Sequence, residues 1–257
     1  HMLPLGATRA VYEGTKEPEC RILFPGTYDR PDAVYQIVEN APEPLGNMMK
    51  DLIERRLADP TLPMEEAFSQ QLKEEKLELP AGQFALFMNS MYAVDAYVRD
   101  YFRKAVLDAL LAEKLPVTVF GEGWEKYSCG DEHSLRREPA VPFALSFERI
   151  AKAHVLLNVS PIFNRGMHDR VPAGMANHAV VLTDENPYLR RTFTDGKELL
   201  FYSLEKPDTL CEQAERALTD VRLREKIAAS AYETFEREYT WKHRAEQILA
   251  FAEEVEA

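Results

Sequence analysis

Short apolar runs recur along the chain between longer stretches in which apolar positions return every third or fourth residue. Val155-Leu156-Leu157-Asn158-Val159 and Ala179-Val180-Val181-Leu182-Thr183 are two such runs. Their brevity and Val/Leu content predict strands buried on both faces of a parallel sheet. Between them a polar loop at 160–167 hands over to a helical stretch starting near His168. Strand, loop, helix and strand make the right-handed crossover of open α/β sheets. Arg21-Ile22-Leu23-Phe24, Val117-Thr118-Val119-Phe120 and Leu199-Leu200-Phe201-Tyr202 supply further strands. Helical spacing covers 32–40, 46–58 and a long stretch over 94–110 that Pro116 stops. The charged segment 64–77 reads as an exposed helix. This run of helices between two strands exceeds what one crossover needs, so about 31–80 is read as a helical insertion. Residues 129–142 read as an irregular loop, followed by a short helix over 147–153. Near the end, Asp208 and Asp220 stand where helix N-caps belong, and Thr240-Trp241 opens a closing helix. The order predicts an α/β fold with a parallel sheet flanked by helices.

Composition narrows the partners. With 257 residues, 46% apolar and 10% aromatic, the chain has ample core and is not generally disordered. A net charge of −12 argues against a nucleic-acid partner and against an anionic membrane surface. Any anion site must therefore be local. No apolar run reaches spanning length and no signal peptide is visible. Cys20, Cys129 and Cys211 are scattered and odd in number, reading as reduced thiols of a cytoplasmic protein rather than a disulfide frame. His1-Met2 reads as a tag remnant and the rest of 1–20 as linker, so that 21–257 forms the domain.

Candidate chemistry gathers at the handover after the central strand. Ser160, Asn164, Arg165, Gly166, His168, Asp169 and Arg170 fall where a helix start and its dipole favour an anion. Gly166 allows close backbone approach, and Arg170 offers a forked donor suited to phosphate oxygens. The competing reading makes Arg165 and Arg170 solvated charges and His168 an ordinary helix-start residue. Gly26, at the end of the first strand, serves either a tight turn or ligand approach. Gly121 and Gly123 follow a strand as G-x-G, but position 126 is Lys, so the dinucleotide fingerprint is broken and an NAD-dependent enzyme is disfavoured. Trp124 is either packing or a platform. No His, Asp or Glu set has metal-ligand spacing, so no metal is expected.

Leu157-Asn158-Val159-Ser160-Pro161, Gly166-Met167-His168-Asp169-Arg170, Met175-Ala176 and Ala179-Val180-Val181-Leu182-Thr183-Asp184 together resemble the donor-binding half of group 1 glycosyltransferases. More narrowly, the chain is similar to the bacterial spore-maturation glycosyltransferases. The likeness extends to Gly26, to Val119-Phe120-Gly121-Glu122-Gly123-Trp124, and to Thr240-Trp241 and Arg244. It implies a GT-B enzyme whose C-terminal, Rossmann-like domain holds a nucleotide sugar, with no metal required and no tightly bound cofactor. By position, His168 and Asp169 would be the catalytic residues at the sugar and Arg170 would face the diphosphate. Gly26, Thr27, Gly121 and Gly123 would line the cleft, Asp184, Glu185 and Asn186 would lie near sugar or ribose, and the base would rest near Val141-Pro142-Phe143. The family's two glutamates, eight positions apart, fall here on Arg165 and Ala173, so ribose recognition would come from elsewhere, Asp169 or Asp184.

The expected function is transfer of a hexose-like sugar from a UDP-, GDP- or dTDP-sugar to an acceptor that is a protein, a glycan or a small molecule. The acceptor domain would precede Leu3, which would leave this chain alone able to bind donor but not to transfer it. The alternative is a nucleotide-binding module without transfer activity.

Overall fold

The computed structural model describes residues 3–10, 19–130 and 132–256, with backbone alone at 255 and 256. Of the expected tag remnant and linker, 1–2 and 11–18 lie outside the described residues. Six strands, β1 Cys20–Pro25, β2 Val117–Phe120, β3 Leu135–Glu138, β4 Ala153–Asn158, β5 Val180–Asp184 and β6 Leu200–Tyr202, form one sheet in the order β3-β2-β1-β4-β5-β6. Every ladder is parallel, as the apolar runs predict. The runs are continuous because alternate residues enter two different cores. Ile22, Phe24, Val155, Leu157, Val180 and Leu182 face one, while Leu23, Leu156, Val181 and Phe201 face the other.

Helices α1 Pro31–Glu39, α2 Leu45–Ala58, α3 Met64–Glu74, α4 Ala81–Ser90 and α5 Tyr92–Ala112 lie between β1 and β2. The chain then runs through a short 3₁₀ turn at Trp124–Lys126 to β3, and α6 Phe143–Ala151 carries it back to β4 on the far side of β1. Beyond β4 come α7 Arg170–Ala176, α8 Pro187–Thr192, α9 Pro207–Thr219, α10 Val221–Glu238 and α11 Trp241–Glu256. Gly174 lets α7 lie close on the sheet: a methyl there would sit 3.0 Å from Leu156 Cδ2 and overlap Val181 Cγ2. No helix among the described residues is long and apolar enough to cross a membrane.

Four local expectations are corrected. The expected loop at 129–142 contains β3, which pairs with β2 at the sheet edge. Its residues LRRE bury only Leu135, so an edge strand held by its backbone ladder leaves no apolar run to read. The helix expected from 147 begins at Phe143, because the first turn after Pro142 leaves Phe143 exposed and outside the apolar face. The helix over 64–77 is not simply exposed: α3 buries Met64, Ala67, Phe68 and Leu72 in the core it shares with α2. Asp208 does not cap α9, whose N-cap is Lys206 with Pro207 following. Asp220 does cap α10, accepting from Leu223 N at 2.9 Å.

Candidate functional site

From β1 the strand order runs outward through β2 to β3, then reverses to β4 on the other side of β1. In open α/β sheets a crevice forms at the carboxyl ends of the strands where the order reverses. A cleft of about 620 Å³ occupies that place here. Its polar end is made by Gly26 and Thr27 after β1, Gly121 and Glu122 after β2, and His168, Asp169 and Arg170 at the start of α7. Its apolar end is Val141, Phe143, Phe147 and Ile150, on α6 and the segment before it. Leu5 to Thr8 and Trp241 close the rim; Ala7 N donates to Tyr239 O at 3.2 Å, holding the expected linker against the start of α11.

Arg170 is buried and its side chain crosses from α7 to the turn after β1. Nη1 donates to Asn158 Oδ1 at 3.3 Å. Nη2 lies 2.6 Å from where a Gly26 Cβ would be. Gly26 has φ +139°, so the position needs glycine both for its backbone and for the guanidinium. Burial holds the Arg170 pKa down to about 10. Asp169 does not pair with it. The Asp169 carboxylate instead meets His168 Nδ1 at 2.5 Å. Burial pushes that carboxyl up, but the hydrogen bond from His168 and the neighbouring positive charges outweigh it and the net direction is down. Burial also lowers the His168 pKa, with Asp169 opposing, so the imidazole is neutral at pH 7. Arg170 N lies 3.3 Å from the same Nδ1, but the shorter contact to the carboxylate places the proton on Nδ1 toward Asp169 and leaves Nε2 an acceptor.

Gly26, Thr27, Gly121, Phe143, His168, Asp169 and Arg170 thus share the cleft. The remaining candidates lie outside its lining, each with a partner of its own. Gly123 turns the chain under Tyr28, with φ +85°. Trp124 is packing, stacked on Tyr28 with Nε1 donating to Gly26 O at 2.7 Å. Asn164 donates to Pro60 O at 2.7 Å. Asn186 caps α8 through Leu189 N and also donates to Phe163 O and Gly166 O. Arg165 pairs with Glu66 on α3 and Glu185 with Arg190. Ala173, one of the two positions where the family carries glutamate, does face the cleft. Arg103 on α5 is not among the expected site residues, yet its Nη2 lies 3.6 Å from the same Gly26 point. Its only trace was a charged pair, Asp100 and Arg103, interrupting the apolar face of Val98, Phe102 and Val106.

Asp184 is fully enclosed behind the cleft. Ser160 N donates to its Oδ1 at 2.9 Å, yet burial raises its pKa to about 7. The unfolded carboxyl titrates near 4. Between about pH 4 and 7 the folded chain keeps a proton that the unfolded chain has lost. The contribution of this group to stability therefore falls as pH rises through that window and is level above it. Wild type is expected to lose thermal midpoint between pH 5.5 and 8, and Asp184→Asn to lose less. Parallel pH profiles for the two proteins in calorimetry would remove Asp184 as the source.

A family model described as glycosyl transferase-like matches residues 99–250, more than half of the chain. No curated protein matches the sequence. Among solved structures the fold is similar to Anabaena HepE in complex with UDP-glucose (TM-score 0.51, 12% identity, covering 58% of this chain and 44% of that one). It is also similar to sucrose-phosphate synthase from Thermosynechococcus elongatus (TM-score 0.51, 14% identity, 61% and 42%). At such identities the likeness is one of fold, and the chain spans less than half the length of either protein. The sheet order, the cleft at its reversal and the matched family model agree: this chain belongs to the glycosyl transferase-like family of group 1 glycosyltransferases.

Proposed function

We propose that this chain is the donor-binding half of a nucleotide-sugar glycosyltransferase of the spore-maturation type, and that the cleft at the β1–β4 reversal holds the donor. The observation that carries this reading is Arg170, a buried guanidinium laid against Gly26 at the polar end of the cleft. A nucleotide sugar fits the cleft's two ends: base against Val141 and Phe143, diphosphate at Gly26, Thr27 and Arg170, sugar toward His168. In transfer, the bond from the anomeric carbon to the diphosphate oxygen breaks, the nucleoside diphosphate leaves with the electron pair, and an acceptor hydroxyl oxygen bonds to the carbon while its proton passes to the departing diphosphate. Arg170 would stabilise the charge that grows on the leaving diphosphate. His168, neutral and oriented by Asp169, would offer Nε2 to a hydroxyl of the sugar. A UDP-hexose is the first donor to try, since HepE was solved with UDP-glucose. Among the described residues no group of three or more His, Cys, Asp or Glu is placed to hold a metal.

A second reading, a nucleotide-binding module without transfer, is favoured by one observation. Ala173 faces the cleft where the family places a carboxylate, so that position offers no acid to a ribose or sugar. Both readings expect nucleotide binding; slow hydrolysis of the sugar nucleotide by a protein containing both halves separates them. For the shared part, thermal midpoints are measured with UDP, GDP, dTDP and NAD, because a ligand of the folded state raises the midpoint. One nucleoside diphosphate is expected to give the largest rise, and EDTA to leave it unchanged. No rise with any diphosphate, or a larger rise with NAD, would sink the donor-site reading.

A further inference from the structure

The buried face of α5 carries an ion cluster beside the cleft. Arg103 is 7% exposed and Asp100, one turn earlier, is fully buried. Arg99 donates to both oxygens of Asp100, at 3.2 and 2.9 Å. Arg103 Nη1 is 3.8 Å from Asp100 Oδ1, so one carboxylate is shared by two guanidiniums. Nη1 of Arg103 also donates to the Thr27 carbonyl in the turn after β1. Its Nε is buried and has no hydrogen-bond partner. Its Nη2 points at Gly26, the glycine against which Arg170 Nη2 already lies.

Two enclosed guanidiniums therefore converge on one glycine. Burial lowers the Arg103 pKa to about 9, with the charge of Arg170 pressing the same way. Among the described residues no carboxylate is within salt-bridge distance of Arg170. Like charges gathered out of water, with donors left over, are costly unless an anion joins them. Holding the Thr27 carbonyl would take a single donor and would not bring a second cation to the same point.

We propose that Arg103 is a second anion-binding residue of this site, gripping a diphosphate together with Arg170 from a helix that lies between β1 and β2. The proposal rests on the reading of the cleft as a diphosphate site. Two forks meeting at Gly26 match two linked phosphates better than one, so Arg103 sets the preference for diphosphate over monophosphate. Asp100 is its positioning residue: it holds the guanidinium over the turn while Arg99 takes the other part of its charge.

The test is calorimetric titration of wild type, Arg103→Gln and Arg103→Lys with UDP, UMP, uridine and inorganic pyrophosphate, with thermal midpoints recorded beside them. Arg103→Gln is expected to weaken UDP and pyrophosphate roughly ten-fold, the scale of one hydrogen bond to a charged group. UMP should weaken less and uridine should hold, so the UDP-to-UMP ratio falls. Arg103→Lys should recover part of the loss, since it keeps the charge without the fork. Should Arg103→Gln fail to fold, Arg103→Lys decides through the same ratio. An unchanged ratio in a folded variant, or an equal loss for UDP, UMP and uridine, assigns Arg103 to the turn alone and overturns the proposal. With wild type binding UDP and Arg170→Ala impaired, that failure would leave the donor-site reading standing. If wild type binds neither UDP nor pyrophosphate, both fall together.

Discussion

Arg170→Ala should weaken binding of the preferred nucleoside diphosphate by about ten- to a hundred-fold, the equivalent of roughly 1.5–3 kcal/mol for a hydrogen bond to a charged group. Binding of the bare nucleoside, which has no phosphate, should barely move. The structure sharpens the companion expectation for stability. Arg170 makes one long side-chain hydrogen bond, 3.3 Å to Asn158 Oδ1, and Asp169 and Glu185 are engaged elsewhere, Asp169 with His168 and Glu185 with Arg190. The side chain lines the cleft, so the space left by alanine opens onto solvent rather than becoming a closed cavity. Removing a buried cation that has no carboxylate in salt-bridge contact also removes its desolvation cost, which outweighs the attraction of Asp169 and Asp184. The thermal midpoint without ligand should therefore stay within a few degrees of wild type while affinity falls. Arg170→Lys should restore only part of the affinity. A variant that loses stability and binds diphosphate as wild type does would make Arg170 a structural residue and take away the main support for a phosphate-bearing donor.

How much of this was readable from the chain differs by element, and the reasons are physical. β1, β2, β4, β5 and β6 announce themselves because strands covered on both faces must be apolar throughout. β3 does not, because its Arg136, Arg137 and Glu138 sit at an edge where the backbone ladder to β2 does the holding. The His168-Asp169-Arg170 segment was visible because one short stretch carries strand end, loop and helix start together. Asn164, Asn186 and Asp184 stood in the same neighbourhood but are engaged in shaping the loops: Asn164 ties the loop after β4 to Pro60, and Asn186 ties it to α8. Proximity in sequence could not separate side chains that build a loop from those that face its cavity. Arg103 is the opposite case. It reaches Gly26 from α5, across a long stretch of helical chain, and such a contact exists only once the fold is formed. The wall formed by Leu5 to Thr8 was hidden for the same reason, since its small polar-apolar mix reads as a linker until Trp241 and Tyr239 are placed against it.

A large loss of stability is expected from a single methyl at Gly121. This residue follows β2 with φ +135°, a conformation that side-chain-bearing residues rarely adopt. A Cβ there would overlap the carbonyl oxygen of Gly26 and sit 2.7 Å from its carbonyl carbon. Both obstacles are backbone, so no side chain can swing away to make room. The two turns are also tied together: Gly26 N donates to Phe120 O at 3.0 Å and Tyr28 N to Glu122 O at 2.9 Å. Gly121→Ala must therefore push the ends of β1 and β2 apart and stretch those bonds. Strain at a disfavoured dihedral costs about 1–3 kcal/mol, and forcing atoms into filled space costs about 1–3 kcal/mol more. A loss of about 3 kcal/mol lowers the midpoint of a chain this size by roughly 6–12 °C. Because the displaced turn holds Gly26 against Arg170, the protein that remains folded should also bind diphosphate more weakly. Gly166→Ala is the control. Gly166 lies in the loop before His168, has open space where a methyl would go and no positive φ, so its midpoint should move by no more than a degree or two. If Gly121→Ala melts with wild type, the close approach of the two turns is not what the structure describes. The placement of Gly26 and Arg170 over the cleft would then have to be redrawn.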